Sequence, residues 1–144
     1  ARMLEDPYFA QRPPKSTGRD RFNLDWLAQA SSGLGACAPA DVQASLVALT
    51  CESIARAVRE SAPRAARVVA CGGGVRNAFL MERLAAALAP LPLQSTAAYG
   101  VPPDFVEAIG FAWLARETLE GRPGNLPAVT GARGARVLGG IYPA

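Results

Sequence analysis

The residues best suited to chemistry are three consecutive glycines, Gly72–Gly74, with Asn77 three positions further on. They follow a short apolar run, Arg67–Cys71, and precede a stretch with helical spacing. Because glycine has no Cβ, backbone amides in such a turn can approach a ligand closely, and the chain can adopt a positive φ. The start of the following helix adds unpaired N–H groups and the positive end of the helix dipole. This pattern predicts a nucleotide in the crevice beside the turn.

The glycine turn differs from two familiar nucleotide-binding loops. The Walker pattern GxxxxGK[ST] is absent from the sequence. Gly72 and Gly74 satisfy the first half of the dinucleotide fingerprint, but Asn77 stands where the third glycine belongs, which argues against a Rossmann-type oxidoreductase. From the motif alone, a tight strand-to-helix turn without a ligand is an equal alternative.

A second candidate is Glu107, within a segment, Asp104–Ala115, that is apolar almost all round at helical spacing. One face carries Phe105, Ile109, Ala112 and Trp113. Phe111 and Leu114 lie on the other face together with Glu107. We therefore expect an enclosed helix and a partly buried Glu107, and a buried carboxylate must be paired or hydrogen-bonded. The residues alone favour a structural ion pair over a polar ligand near a cleft.

The elements that position these residues are predicted to alternate between helix and strand. An irregular segment from Pro7 to Gly35 comes first, with one or two helical turns at Phe22–Leu27. A helix is predicted after Pro39, with Asp41 as its cap. The elements predicted after it are, in order, a strand at Arg67–Cys71, a helix at Arg76–Leu88, a strand at Leu91–Thr96, a helix that starts after Asp104 and ends at Leu119, and a strand at Val137–Tyr142. The wide apolar arc of the first long helix indicates that it is mostly buried. The apolar run at Arg67–Cys71 favours a parallel sheet covered on both faces. This alternation is typical of an α/β layered fold.

Composition describes one globular domain and excludes several classes of protein. Of the 144 residues, 50% are hydrophobic and 19% are charged. The net charge of +3 comes mostly from scattered basic residues, without the stripe that a nucleic-acid surface needs. No apolar run is long enough to cross a bilayer, so no membrane partner is expected. The sequence has no histidine, which excludes a histidine general base and histidine-containing zinc sites.

Other features carry weaker predictions. The three cysteines lie far apart and form no CxxC pair, which suggests reduced thiols in a cytoplasmic protein. Lys15–Arg19 could contact phosphate, although a solvated or interface loop is favoured. The segment from Gly124 to Gly131 is expected to order a turn. Trp26 and Trp113 are expected in cores or interfaces.

Five separated stretches are similar, in the same order, to the anhydro-N-acetylmuramic acid kinase family. They are PPKSTGRDRFNLDWL, DVQASLVALTCESIA, CGGGVRN, VEAIGFAWLA and GNLPAVTGARGARVLGGIYP. The segment VVACGGGVRNAFLMERLAAAL also resembles the adenosine motif of the actin-like superfamily, which includes hexokinases and Hsp70. Five colinear stretches are far more specific than one glycine turn.

The resemblance implies an α/β fold: an actin-like, ribonuclease H-like kinase lobe with a mixed sheet flanked by helices, here truncated. Residues 1–144 would be the carboxy-terminal nucleotide-binding lobe of a two-lobed sugar kinase. Gly72, Gly73, Gly74 and Asn77 would lie against the adenine and ribose of ATP, and Glu107 would lie in the sugar site. The partners would be ATP with Mg²⁺ and an amino sugar, and a homodimer is left open.

Members of the resembled family use ATP to phosphorylate 1,6-anhydro-N-acetylmuramic acid at the 6-position and open its ring with water, which recycles murein. The catalytic aspartate of the family, in a DTGPGN-like segment, has no counterpart here. We therefore expect no catalytic residue and no metal ligand in these 144 residues, and no turnover by them alone. The alternative is a non-catalytic, nucleotide-binding regulatory module of the actin-like fold.

Overall fold

A computed structural model describes residues 2–31, 33 and 36–142, so Gly35 lies outside the described residues. The helices are α1 (Pro7–Ala10), α2 (Leu24–Ala30), α3 (Pro39–Ser61), α4 (Ala78–Leu88), α5 (Val106–Leu119) and α6 (Pro127–Thr130), and the strands are β1 (Val68–Ala70) and β2 (Leu93–Ser95). Short 3-10 segments lie at Arg2–Glu5, Gly73–Arg76, Thr96–Tyr99 and Pro103–Phe105. The described chain is therefore mixed α/β and mostly helical, with a small parallel sheet.

The amino-terminal segment has more structure than the sequence predicted. Four aromatic rings from α1, α2 and the loop between them pack together: Tyr8, Phe9, Phe22 and Trp26. Asp6 accepts hydrogen bonds from the Tyr8 amide and from Nε1 of Trp26, both at 2.8 Å. The pKa of Asp6 is lowered, chiefly by the hydrogen bond from the Tyr8 amide. Trp26 and Arg21 lower it further, whereas desolvation by burial raises it. The helical turn or two predicted at Phe22–Leu27 is confirmed in α2, whereas the expectation of an irregular segment is wrong at α1.

The start of α3 corrects one predicted cap. Ala38 is the N-cap residue, without a side-chain hydrogen bond, and Pro39 opens the helix. Proline suits this position because its fixed φ is helical and its missing N–H has no intrahelical partner there. Asp41 therefore does not cap α3. It lies in the first turn, where its charge is favourable beside the helix dipole.

The core lies between α3 and α4. Cys51 and Ala55 of α3 are buried against Leu84 and Leu88 of α4, with Leu80 packed at the edge. The fourfold spacing of the three leucines is confirmed, because it places them on the one face of α4 that meets α3. The prediction that α3 is mostly buried is wrong, since Cys51 and Ala55 are its only buried residues among those described.

The sheet is smaller and more open than predicted. β1 and β2 pair in parallel, with Val68 opposite Leu93 and Val69 opposite Gln94. Val68 and Leu93 pack against the core, but Val69 is 43% exposed on the other face. No helix of the described chain covers that face, so the expected double cover is wrong here. The predicted final strand, Val137–Tyr142, forms no sheet pairing and is exposed.

Candidate functional site

The glycine turn connects β1 to α4 by a sharp change of direction. Gly72 has φ 79° and ψ −179°, a backbone conformation that is essentially restricted to glycine. Its N–H donates to the carbonyl oxygen of Pro103 at 3.0 Å, which ties the turn to the chain just before α5. Gly73–Arg76 then forms a 3-10 turn that leads into α4. Of the three glycines, only Gly72 has a positive φ.

The space above the turn is open. A Cβ placed on Gly72 or Gly73 would meet no atom within 4 Å, so nothing in the described chain occupies the space beside these residues. A Cβ on Gly74 would lie 3.5 Å from Cδ2 of Leu80, which is ordinary contact with α4. Gly72 and Gly73 therefore offer bare backbone to a flat ligand, whereas Gly74 faces the protein.

Asn77 has a structural role that the sequence reasoning missed. Its Oδ1 accepts a hydrogen bond from the Leu80 N–H at 3.0 Å, which caps α4. Its own N–H donates to the Gly74 carbonyl at 3.1 Å. The signal was present in the sequence, because asparagine is among the preferred N-cap residues. The cap also fixes Asn77 at the edge of the glycine turn.

The start of α5 lies beside the glycine turn. Arg76 forms an ion pair with Asp104, in addition to the backbone bond between Gly72 and Pro103. Glu107 follows Asp104 by three residues, in the first turn of α5. The structure thus brings the glycine turn close to the segment that carries Glu107. No local pattern indicates the Arg76–Asp104 pair, because its members are separated by 28 positions.

The prediction that Glu107 is partly buried is wrong, because its side chain is exposed. Among the described residues, its carboxylate has no hydrogen bond or ion pair, so the expected structural pair is not formed there. The buried glutamate of α5 is Glu117, at 7% exposure. Arg122 donates to both of its carboxylate oxygens, at 2.6 and 2.7 Å, and these hydrogen bonds lower the pKa of Glu117. The paired carboxylate of α5 thus lies ten residues beyond the predicted one, near the end of the helix rather than in its first turn.

Lys15 and Asn125 make contacts within the described chain, and the predicted phosphate contact of Lys15–Arg19 stays a prediction. Nζ of Lys15 donates to the carbonyls of Tyr8 and Phe9, at 3.1 and 3.3 Å, and is therefore engaged at the end of α1. A cavity of about 850 Å³ lies between the amino-terminal helices and α3, and none of the five predicted site residues lines it. Asn125 bonds the Gly134 carbonyl and the Arg136 amide, which orders the expected turn.

The described residues offer neither a metal-binding cluster nor a membrane-spanning helix. They contain no group of three or more histidine, cysteine, aspartate or glutamate side chains arranged to hold a metal ion. None of their helices has the length and apolar character needed to cross a membrane. All three cysteines, Cys37, Cys51 and Cys71, are free thiols.

The family model described as anhydro-N-acetylmuramic acid kinase matches residues 1–144. The chain belongs to this family. Among anhydro-N-acetylmuramic acid kinases, that of Xanthomonas campestris pv. campestris (strain 8004) is 55% identical over 142 residues, which cover 99% of this chain and 37% of the relative. That of Cupriavidus pinatubonensis is 57% identical over 145 residues, which cover 99% and 39%. That of Xylella fastidiosa is 50% identical, with 99% and 37% covered. The chain thus spans less than two fifths of the length of these kinases.

Proposed function

We propose that this chain is the carboxy-terminal, nucleotide-binding lobe of a two-lobed kinase of the actin-like fold that phosphorylates 1,6-anhydro-N-acetylmuramic acid in cell-wall recycling. The observation that carries the proposal is the open space beside Gly72 and Gly73. This space lies at the end of a parallel strand and before a capped helix, in a chain matched throughout by the kinase family. The free thiols fit a cytoplasmic location.

The glycine turn fits an adenosine group. The bare backbone of Gly72 and Gly73 would contact the flat face of adenine and ribose, because no side chain intervenes. Asn77 would offer its side-chain amide N–H groups to the nucleotide, while its Oδ1 caps α4. When bound, ATP with Mg²⁺ would supply the phosphoryl group that the bridging 6-oxygen of the anhydro sugar accepts, while water adds at C1 and the C1–O6 bond breaks. The residues of this chain bind and orient the nucleoside end.

Glu107 is assigned to the sugar side of the site. Its carboxylate is exposed and, among the described residues, has no partner, so it can accept hydrogen bonds from a sugar hydroxyl. Its place in the first turn of α5 sets it close to the segment that is bonded to the glycine turn. Glu107 would therefore hold and orient the acceptor, while the base that activates water would come from outside these 144 residues.

Calorimetric titration with Mg-ATP tests the nucleotide site. The chain should bind saturably, and Gly73→Val should weaken binding at least about tenfold, because the new side chain fills ligand space without meeting any protein atom. Gly110→Val is the matched control, since its Cβ also meets nothing within 4 Å but lies on α5. Circular dichroism establishes that each variant is folded. Equal affinity of Gly73→Val and the unchanged chain would contradict the assignment.

A hybrid kinase tests the sugar side and the division of labour. It is the Xanthomonas campestris relative with its matched 142 residues replaced by this chain. Phosphorylation of the anhydro sugar is expected from the hybrid kinase and not from the 144 residues alone. Glu107→Gln in the hybrid should raise the KM for the sugar about tenfold, as expected for loss of a charged hydrogen bond, with the KM for ATP unchanged. Turnover by the 144 residues alone, or an unchanged sugar KM, would refute these assignments.

A further inference from the structure

The exposed face of α5 carries a continuous row of large apolar side chains. Phe105, Ile109 and Trp113 recur at fourfold spacing and are 59%, 51% and 49% exposed. We name these three residues the α5 stripe. Helical geometry aligns them on one side, and Glu117, four residues after Trp113, ends the row with the charged pair that it forms with Arg122. Soluble proteins seldom leave a contiguous apolar row of this kind open to water unless it is an interaction site.

The described chain holds α5 by the opposite side. Leu114 lies beside Gly124, and Oγ1 of Thr118 donates to the Leu138 carbonyl, so the segment after α5 folds back along this side. Glu117, which follows Trp113 by four residues, is buried by its pair with Arg122. The α5 stripe receives no comparable cover from the described residues.

The sheet also has an apolar face that the described chain leaves uncovered. Val69 is 43% exposed on the face of β1 that points away from the core. Parallel strands are normally buried on both faces, so a two-stranded parallel sheet with one open face is an incomplete layer. Two independent elements, α5 and β1, thus each present apolar surface that requires a partner.

We propose that the α5 stripe is the surface on which the rest of the kinase polypeptide packs, namely the part of each relative that lies outside the matched residues. This inference rests on the proposed function. The length supports it, because more than half of each relative is unmatched and is available to cover the stripe. The charges around the stripe also support it: acidic Asp104 and Glu107 lie close to its start, whereas a membrane-surface helix carries a basic face.

The expected occupant is an apolar surface. It would contribute aliphatic and aromatic side chains to Phe105, Ile109 and Trp113, and would leave Glu107 uncovered, because Glu107 lies on another face of α5. Binding of this surface would therefore fix the helix that carries the proposed sugar-binding carboxylate.

Thiol labelling of Ile109→Cys tests the proposal, with Cys37 and Cys71 changed to Ser to remove the two exposed thiols. The variant is made in the 144-residue chain and in the hybrid kinase. Labelling of the hybrid kinase without Ile109→Cys is measured as the background from its other cysteines and is subtracted from labelling of the hybrid variant. The new thiol should react at least about tenfold more slowly in the hybrid kinase, because a covered residue is labelled only on local opening. Val129→Cys is the matched control on exposed α6 and should react equally fast in both.

Three outcomes separate the alternatives. Equal labelling of Ile109→Cys in both proteins would overturn the proposal. Slow labelling already in the 144-residue chain, accelerated by dilution, would assign the stripe to a second copy and would also overturn it. Slow labelling of Ile109→Cys in a hybrid kinase that does not bind ATP would support the proposed interface and contradict the proposed function. The two proposals can therefore fail separately.

A stability measurement supplies a second readout. Ile109→Lys should lower the Tm of the hybrid kinase by at least about 5 °C, because the covered site would bury an unpaired charge. The same change should leave the 144-residue chain within about 1 °C, since Ile109 is already exposed there. Equal small shifts in both proteins would contradict the proposal.

Discussion

Helices α4 and α5 are both rich in apolar residues, yet the chain buries one and leaves the other open. Leu84 and Leu88 of α4 are 6% and 5% exposed, whereas Ile109 and Phe111 of α5 are more than half exposed. The leucines of α4 repeat on one face, and α3 supplies the surface that meets them. The apolar residues of α5 surround the helix, which therefore needs cover on several sides. Apolar content predicts that a helix needs partners, and the spacing predicts on how many sides.

The largest effect that would test this comparison is loss of a core leucine. Leu84→Ala should reduce the free energy of unfolding by about 2–5 kcal/mol, because it removes buried methyl groups and leaves a cavity. Ile109→Ala, the matched truncation on α5, should change it by less than about 0.5 kcal/mol in the 144-residue chain. Urea denaturation followed by circular dichroism measures both. Similar losses for the two variants would mean that α5 is enclosed in solution and would end the contrast.

The glycine turn, which joins the α4 side of the molecule to the start of α5, provides an intermediate effect. Gly72→Ala should destabilise the chain by about 1–3 kcal/mol, because its φ of 79° with ψ near 180° strains any residue with a Cβ. Gly73→Ala should be neutral or stabilise by up to about 1 kcal/mol, since its φ is not positive and its Cβ meets nothing. Thermal unfolding compares the two neighbours. A reversed order would show that the turn has another conformation.

The smallest effect concerns the polar attachment of α5. The pKa of Glu117 is lowered below its ordinary 4.5, chiefly by its hydrogen bonds with Arg122. Its contribution to stability is therefore complete above pH 4.5 and is lost as the pH falls through the lower pKa of the folded state. We call this fall of the free energy of unfolding towards low pH the acid limb. Arg122→Gln should make the acid limb less steep in denaturation curves taken between pH 3 and pH 6, which bracket that ordinary value.

The control for this pH effect is an exposed ion pair. Arg56→Gln removes the partner of Glu52 on α3, where both side chains are well exposed. Exposed pairs of this kind contribute little to stability, so the acid limb should persist in that variant. The lowered pKa of Asp6 leaves an acid limb in every variant, so an unchanged steepness of the limb in Arg122→Gln would show that Glu117 does not hold α5.

Local rules predicted the parts of the fold that depend on neighbouring residues. The spacing of Leu80, Leu84 and Leu88 predicted the face of α4 that is buried, and the glycine run predicted the turn after β1. The predicted cap of α3 at Asp41 was wrong, because Pro39 already occupies the first helical position and Ala38 is the N-cap residue. These errors of two or three residues arise from competition between neighbouring signals.

The candidate site stays a prediction, and only its connections can be compared with the structure. The glycine turn was singled out from residue types and spacing and Asn77 through the family resemblance, whereas the capping role of Asn77 was missed. The burial of Glu117 rather than Glu107 depends on Arg122, which returns to the helix only because the chain reverses at Gly121, where φ is 64°. Apolar periodicity contains no information on such a reversal.

The hydrogen bond from Gly72 to Pro103 also couples the direction of α5 to the conformation of the glycine turn. The helix has 14 residues and is therefore about 21 Å long, with its near end tied to the glycine turn. A tilt of about 5° at that end would carry Leu119, at the far end, by about 2 Å. A small change in the direction of the backbone at the glycine turn would therefore shift side chains at the other end of α5 by a distance that is large enough to alter their contacts.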